Sequence, residues 1–222
     1  MSTRKTSFVI GEFYHLYNRG NSKQKIFLNK KDYCRFVDLL YAVNREEKFN
    51  FSDSLKGISI YEKTSENPLV AIGAYCLMPN HFHILVTPIV EDGVSKFMQK
   101  LSTAYVMYFN QKYNRTGALF EGKFKSQYVD NDRYLKYLFS YIHLNPLKLI
   151  WKDWREMVIK DKKRAIRHLS EYQYSSLPDY LGMPRPQSKI INKKPFPDYF
   201  PHKNNVLKEI FDWLSYNSLG KA

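Results

Sequence analysis

The spacing of apolar and polar residues divides the chain into segments of strand and helix. The aromatic segment Phe13–Arg19 predicts a strand that ends in a turn at Gly20. Apolar residues at helical spacing from Asp32 to about Lys48 predict a helix. Leu69–Leu77 is a continuous apolar run, which is typical of a strand buried on both faces.

A proline separates this run from a second apolar segment. Pro79 has a fixed φ and no backbone N–H, so Leu69–Leu77 and His81–Val86 are predicted to be the two strands of a hairpin. The pattern continues with a helix from Gly93 to the NRTG segment, a strand in ALFEGKFKSQYV interrupted at Gly122, and a helix that begins near Asp130 and ends by Asn145.

This order of elements predicts an α+β fold, with helices on one face of a mostly antiparallel sheet. Residues 1–150 are predicted to form this domain, and residues 151–183 a basic helical and aromatic extension of it. Five prolines among lysines predict an extended arm over residues 184–203. Apolar residues at helical spacing predict a small amphipathic helix over residues 204–222.

The charge balance indicates an anionic partner. The 222 residues include 35 Lys and Arg against 21 Asp and Glu, a formal net charge of +14. Residues 96–167 hold 16 basic and six acidic side chains, so much of the excess lies in one third of the chain. Such a surface attracts polyanions, and nucleic acid is favoured over a membrane because no segment forms a basic anchor with a long apolar face.

Cysteine content and the N-terminal segment indicate the compartment. Cys34 and Cys76 are too few for a disulfide framework and suit a reducing environment. The first 21 residues lack the apolar core of a signal peptide, and no apolar run approaches the about 18 residues that a membrane span requires. We therefore expect a cytoplasmic protein that is associated with the nucleoid and has no membrane partner.

His81 and His83 lie one residue apart at the start of the second hairpin strand. Residues two apart in a strand point to the same face, so the two imidazoles are neighbours and could bind a divalent cation. Two ordinary histidines on a solvated strand face would have the same spacing. The pair alone does not decide between these interpretations.

The last helix of the domain has a polar stripe beside its apolar one. Tyr134, Tyr137, Tyr141 and Asn145 fall on this stripe at helical spacing, so Tyr141 and Asn145 are stacked one turn apart. Tyr141 could equally pack at the rim of the core. His143 lies on another side of the helix and is predicted to be structural.

Several segments of the chain together resemble a known family. The triplet His81-Phe82-His83 matches the His-hydrophobe-His motif of the HUH single-strand endonucleases. The segments YHLYNRGN, AYCLMPNHFHILV, GALFEGKFKS, YIHLNP and YSSLPDYLG are similar to those of the single-tyrosine transposases, above all the REP-associated tyrosine transposases. The resemblance extends from about Phe13 to Gly182.

The resemblance implies a fold, an activity and a set of site residues. It implies a ferredoxin-like core in which His81 and His83 bind a divalent metal ion, Mg²⁺ or Mn²⁺, and Tyr141 is the nucleophile. Asn145 matches a third ligand position, where related transposases often have Gln. The implied activity is cleavage and joining of single-stranded DNA with hairpin or repeat ends, through a 5′-phosphotyrosine. The family includes monomers and dimers, so the resemblance leaves a homodimer open.

Arg115, Lys123 and Lys125 are candidate nucleic-acid contacts. They lie in or beside the segment NRTGALFEGKFK, interleaved with Phe120 and Phe124, a composition suited to phosphate contact and base stacking. A solvated hairpin whose aromatic residues pack would have the same composition. The basic block at residues 160–168 is similarly ambiguous between a DNA-stem contact and an exposed helix face.

Two other functions remain open at this point. A DNA-binding protein that kept the fold and lost catalysis would bind without cleavage, although the intact set of His81, His83, Tyr141 and Asn145 argues against it. A zinc hydrolase would need a third His, Cys or carboxylate ligand, and the strand pair has no nearby candidate at a recognised spacing.

Overall fold

The computed structural model describes residues 7–47, 59–62, 67–155, 159, 161–199, 202 and 205–217. The strands are β1 (Phe13–Arg19), β2 (Val70–Met78), β3 (His81–Pro88) and β4 (Lys125–Val129). The helices are α1 (Lys30–Ala42), α2 (Gly93–Lys112), α3 (Asp132–Leu144), α4 (Lys162–Glu171), α5 (Leu177–Tyr180) and α6 (Val206–Asn217). Short 3₁₀ helices span Asn21–Lys23, Ile60–Glu62, Asn145–Leu149 and Pro186–Ile190.

The four strands form one sheet in the order β2-β3-β1-β4. Each neighbouring pair is antiparallel, so β1 and β2 run parallel to each other with β3 between them. This is the split β-α-β arrangement of ferredoxin-like folds. The predicted α+β class, the antiparallel sheet and the β2–β3 hairpin at Pro79 are confirmed.

Helices α1 and α2 pack on one face of the sheet. Phe36 of α1 and Phe97 and Tyr105 of α2 meet Phe82 and Ile84 of β3 in one apolar core, and all five side chains are fully buried. Burial of side chains of this size stabilises the fold by about 1.5–3 kcal/mol each before entropy costs. This face therefore anchors the position of β3.

The opposite face is also covered, so helices pack on both faces of the sheet rather than on one face as predicted. Phe139 and Ile142 of α3 pack in a second core with Cys76 of β2 and Leu85 of β3, and α4 to α6 enlarge it. The cause lies in β2, whose nine residues are all buried and so need an apolar layer on each side.

The C-terminal segment covers the free edge of β2. The backbone N–H of Leu77 donates to the carbonyl of Tyr174 at 2.9 Å, and the N–H of Asn192 donates to the carbonyl of Ile72 at 3.0 Å. Farther along, the Phe196 ring packs on Gly73. A Cβ atom at position 73 would lie only 2.7 Å from the Cζ atom of Phe196. An edge strand is thereby paired rather than left open.

Residues 184–199 are consequently not the extended arm that their prolines and lysines predicted. Pro186–Ile190 form a 3₁₀ helix, and the side chains of Ile190 and Phe196 are buried. The few apolar residues between the prolines anchor the segment in the core. The high proline and lysine content of the segment did not indicate that these residues are buried. Residues 200, 201 and 203 lie outside the described residues.

Two helix boundaries differ from the predictions. α1 ends at Ala42 rather than near Lys48. Just beyond its end, the Asn44 side chain bonds to the first residue of β2, accepting from the N–H of Val70 at 3.0 Å and donating to its carbonyl at 2.9 Å. In the basic segment after Trp151, α4 begins at Lys162, and residues 156–158 and 160 are outside the described residues. The loop predicted between Phe49 and Pro68 lies largely outside them as well. None of the described helices is both long and apolar enough to cross a membrane.

Candidate active site

His81 and His83 lie on the face of the sheet that α3 covers. They project from β3 to the same side as Leu85, whereas Phe82 and Ile84 point into the α1 and α2 core. The centroids of the two imidazole rings are 5.1 Å apart. His81 is half-buried and His83 is buried, so the pair lies in a partly covered position rather than on a solvated face.

Hydrogen bonds fix the orientation of the His81 ring. The Asn80 Nδ2 donates to the carbonyl of Lys23 at 3.2 Å, which directs Asn80 Oδ1 to His81 Nδ1 at 2.7 Å. His81 Nδ1 therefore carries the proton, and the lone pair is on Nε2. A hydrogen bond to the remote nitrogen is how proteins commonly orient a metal-binding imidazole.

His83 has a different partner for its remote nitrogen. His83 Nδ1 lies 2.8 Å from Nε2 of His15 on β1. His83 Nε2 is buried and has no hydrogen-bond partner among the described residues. Because an unpaired buried polar atom is costly, this nitrogen fits a group whose ligand comes from outside the chain, such as a divalent cation. The two free Nε2 atoms thus suit metal binding.

All three histidines are held in the neutral form. Burial lowers the pKa of His15 to about 4 and that of His81 to about 4, and it lowers the pKa of His83 well below its ordinary value. The positive charges of Lys148 and Arg155 act in the same direction on the pKa of His81 and of His83. Neutral imidazole is the form that binds a metal.

Tyr141 of α3 lies against His83 and His15. The Tyr141 ring centroid is 5.4 Å from that of His83 and 6.3 Å from that of His15. The Tyr141 Oη accepts a hydrogen bond from Arg155 Nη2, and the guanidinium carbon is 4.4 Å from the ring centroid. Burial raises the pKa of the Tyr141 phenol, while Arg155 and Asn145 oppose that rise.

Asn145 follows the last residue of α3 and is 2% exposed. Its Nδ2 donates to the carbonyl of Tyr141 at 2.8 Å, so the amide is locked one turn beyond the tyrosine. Among the described residues, no group of three or more His, Cys, Asp and Glu side chains is arranged to hold a metal ion. The structure brings His81, His83 and Tyr141 together, with Asn145 beside Tyr141.

The sequence of the region that builds this site decides the family. Residues 30–145, just over half of the chain, match the family model described as IS200-like transposase, and this span contains His81, His83, Tyr141 and Asn145. The chain belongs to the IS200-like transposase family. Transposase-type DNA processing is therefore its general function.

A solved structure of a REP-associated tyrosine transposase bound to a REP hairpin is similar to this IS200-like transposase. The two superpose with a TM-score of 0.50 and 14% sequence identity, over 84% of this chain and 90% of the other. At this identity the likeness supports the fold. No curated protein sequence matches the chain. The resemblance to the single-tyrosine transposases is confirmed.

Two residues that contact the site of this IS200-like transposase, His15 and Arg155, were not among the site residues predicted from the sequence. His15 lies on one face of β1 with Tyr17 and Arg19, but the pairing of β1 with β3 that brings it to His83 is not visible in local sequence. Arg155 reaches Tyr141 because the chain turns back after the 3₁₀ helix Asn145–Leu149. No periodic pattern marks it.

The three predicted DNA contacts lie in different surroundings. Lys125 begins β4 opposite Tyr17, on the histidine face. Lys123 precedes the strand and lines a groove beside α2, since the chain turns at Gly122, whose φ is +71°. Arg115 lies beyond the end of α2, with its guanidinium carbon 5.5 Å from the Phe109 ring centroid. Of the three, Lys125 lies nearest the histidine pair in the fold.

A cleft of about 410 Å³ opens beside His81 in this transposase. Its lining includes Tyr17, Arg19, Lys23, His81, Lys125 and Lys148.

His143, predicted to be structural, is fully buried on the core side of α3. Its Nε2 lies 2.7 Å from Ser176 Oγ, and its ring packs on Tyr180 with centroids 5.2 Å apart. These contacts fasten α3 to the C-terminal extension.

Proposed function

We propose that this protein is a metal-dependent single-stranded DNA endonuclease and strand transferase that uses Tyr141 as its nucleophile. The observation that supports this most directly is the position of the Tyr141 ring against His83, whose buried Nε2 has no partner within the described ranges. A nucleophile and a cation site in contact are what phosphoryl transfer requires.

His81, His83 and Asn145 would hold the cation, with Asn145 contributing its amide oxygen. Bound there, Mg²⁺ or Mn²⁺ would polarise the scissile phosphate and stabilise its developing charge. Imidazole ligands favour Mn²⁺ in intrinsic affinity, whereas oxygen ligands suit both ions. The two imidazoles are already neutral and oriented, so little reorganisation is needed.

The proposed reaction exchanges one phosphate ester for another. The Tyr141 oxygen forms a bond to phosphorus, the bond from phosphorus to the 3′ oxygen breaks, and the phenol proton ends on the departing 3′ oxygen. The products are a 5′-phosphotyrosine and a free 3′-hydroxyl. Because no water is consumed, another 3′-hydroxyl can reverse the step and join two strands.

Arg155 assists this exchange in the proposal. Its guanidinium donates a hydrogen bond to the Tyr141 oxygen, and this bond would hold that atom in place for attack. Arg stays charged at any physiological pH, so it also offsets negative charge near the phosphate.

The substrate that we propose is single-stranded DNA that carries a hairpin. The net charge of +14 supports an anionic polymer as partner, and the REP-associated transposase of similar fold is bound to a REP hairpin. An assay should therefore vary two conditions: whether Mg²⁺ or Mn²⁺ is present, and whether the DNA carries a hairpin end.

The test is formation of a covalent protein–DNA adduct. The full chain is incubated with Mn²⁺ and with each single strand of the DNA that flanks its own gene, and adducts are detected on denaturing gels. Tyr141→Phe is expected to abolish the adduct, and a chelator is expected to prevent it. Tyr137→Phe is the matched control, because this ring stacks on Tyr141 at 5.9 Å and lies one turn away on the same stripe.

Each alternative predicts a different result. An adduct in Tyr141→Phe would show that another residue is the nucleophile. Salt-sensitive DNA binding by the wild-type chain with no adduct on any flanking strand would favour an inactive DNA-binding protein. Tightly retained zinc in the purified protein would contradict the choice of Mg²⁺ or Mn²⁺.

A further inference from the structure

Helix α4 presents a basic face to solvent. Its ten residues include Lys162, Lys163, Arg164 and Arg167, against one acidic residue, Glu171. All four cations are exposed, and none forms an ion pair with a described residue. A positive surface that the protein does not neutralise itself attracts an anionic partner.

The orientation of this face follows from the buried side of the helix. Ala165 and Leu169 are fully buried in the second core, which also contains side chains of α3. At about 100° per residue, Lys163 and Arg167 point away from these two side chains and lie one turn apart. Their Cβ atoms are therefore about 5–6 Å from each other. The two charges thus lie side by side on a rigid element.

Two contacts join α4 to the segment that follows α3. His168 Nε2 donates to the carbonyl of Pro146, a residue of the 3₁₀ helix Asn145–Leu149, at 3.0 Å. The guanidinium carbon of Arg164 is 5.7 Å from the centroid of the Trp151 ring. Together with the shared core, these contacts place α4 on the side of the sheet that carries the candidate active site.

The chemistry of this face suits a duplex better than a single strand. Proteins bind unstructured single strands largely by stacking bases on aromatic side chains, and α4 contains no Phe, Tyr or Trp. Duplex DNA carries about one negative charge per 1.7 Å of its axis, and Lys and Arg neutralise these phosphates without reading the sequence. The histidine face has the aromatic rings that α4 lacks, since Tyr137 and Tyr141 stack there at 5.9 Å. The two surfaces therefore suit different parts of a hairpin, the paired stem and the unpaired strand.

We infer that α4 binds the paired stem of the DNA hairpin, with Lys163 and Arg167 on neighbouring phosphates of the duplex. Helix α4 lies beyond residues 30–145, so the region that shows the family does not include this surface. The inference rests on the proposed function, because that proposal supplies the hairpin as substrate. Contacts of this kind position a duplex and leave the choice of sequence to other residues.

The experiment measures DNA binding by fluorescence anisotropy, using the full chain with Tyr141→Phe so that no probe is cleaved. The probes are a DNA hairpin with a single-stranded tail and an oligothymidylate of the same length. In Lys163→Ala/Arg167→Ala, affinity for the hairpin is expected to fall about tenfold, and the slope of log affinity against log salt by about 1.8, which is about 0.9 for each lost duplex contact. Affinity for the oligothymidylate is expected to remain nearly unchanged.

Lys30→Ala/Lys31→Ala in the same background is the matched control. It also removes two exposed positive charges from a helix, but α1 packs on the opposite face of the sheet. Alanine is the most favourable residue in a helix, and circular dichroism checks that each variant is folded. The control is expected to bind the hairpin nearly as tightly as the parent.

The outcomes separate this inference from the proposed function. A Lys163→Ala/Arg167→Ala variant that binds the hairpin like the control overturns the inference, even if the wild-type chain forms adducts through Tyr141. Equal loss of affinity for the hairpin and the oligothymidylate also overturns it, since α4 would then bind DNA whether or not it is paired. A loss that is selective for the hairpin supports the stem surface even if the wild-type chain forms no adduct, and in that case the proposed catalysis is wrong.

Discussion

The two faces of the sheet differ in the side chains that β3 presents to them. Toward α1 and α2, β3 presents Phe82 and Ile84, which are fully buried among apolar side chains. Toward α3, it presents His81 and His83; the Nε2 of His83 has no partner among the described residues, and Tyr141 packs on the His83 ring. Alternation of side chains along a strand therefore places core side chains and candidate metal ligands at adjacent residues.

Adjacent residues of β3 give the strongest test of this separation. Phe82→Ala is expected to lower the free energy of unfolding by about 3–5 kcal/mol, because it removes a fully buried ring from the α1 and α2 core. His83→Ala is expected to cost less than half as much, since one of its nitrogens is unpaired, and to eliminate Mn²⁺ binding. Urea denaturation and Mn²⁺ titration by electron paramagnetic resonance measure both effects. Equal losses of stability would contradict the separation.

Arg155 offers the next largest effect, on the histidine face. Arg155→Ala is expected to slow adduct formation about 10- to 100-fold, because a hydrogen bond involving a charged group is worth about 1.5–3 kcal/mol. Dilute guanidinium ion should restore part of the rate. Lys152→Ala, an exposed cation three residues earlier, is the matched control. Absence of rescue, with unchanged folding by circular dichroism, would indicate that Arg155 acts only through packing.

His15 is expected to affect metal binding from the neighbouring strand. His15→Ala removes the partner of His83 Nδ1 and should weaken Mn²⁺ affinity about tenfold, the lower end for loss of such an orienting group. His15→Gln keeps an acceptor and should retain most of the affinity. Both are measured as Mn²⁺ dissociation constants without DNA. An unchanged constant in His15→Ala would show that the His83 ring needs no support.

The smallest expected difference concerns two lysines on different sides of the sheet. Lys125→Ala should weaken single-strand binding about two- to fivefold, in line with about 0.5–1 kcal/mol for an exposed charge contact. Lys123→Ala, beside α2, should change it less than twofold. Fluorescence anisotropy at several salt concentrations distinguishes them. The reverse ranking would place the DNA on the α2 side.

Local patterns in the sequence predicted what depends on neighbouring residues. The period of two put His81 and His83 on one face, the period of 3.6 put Asn145 one turn from Tyr141, and Pro79 marked the hairpin turn. The family resemblance then indicated which residues could act together. These features depend on residues within a few positions of each other.

Contacts between distant segments were not accessible in the same way. The pairing of His15 with His83 depends on the register of β1 against β3, and Arg155 reaches Tyr141 through an irregular turn. Phe196 can pack on residue 73, which lies 123 positions earlier, because that residue is a glycine and has no side chain. Each of these contacts depends on the tertiary structure and cannot be predicted from local periodicity.

The backbone pairing of β2 with the C-terminal segment has a consequence for how the chain can be divided. A fragment that ended with α3 would lose Tyr174, Asn192 and Phe196, and the edge of a nine-residue apolar strand would be open. Open apolar edges pair with one another and lead to aggregation. The C-terminal segment is therefore expected to prevent aggregation. If truncated forms of this chain are insoluble, that result would not identify the residues that bind DNA.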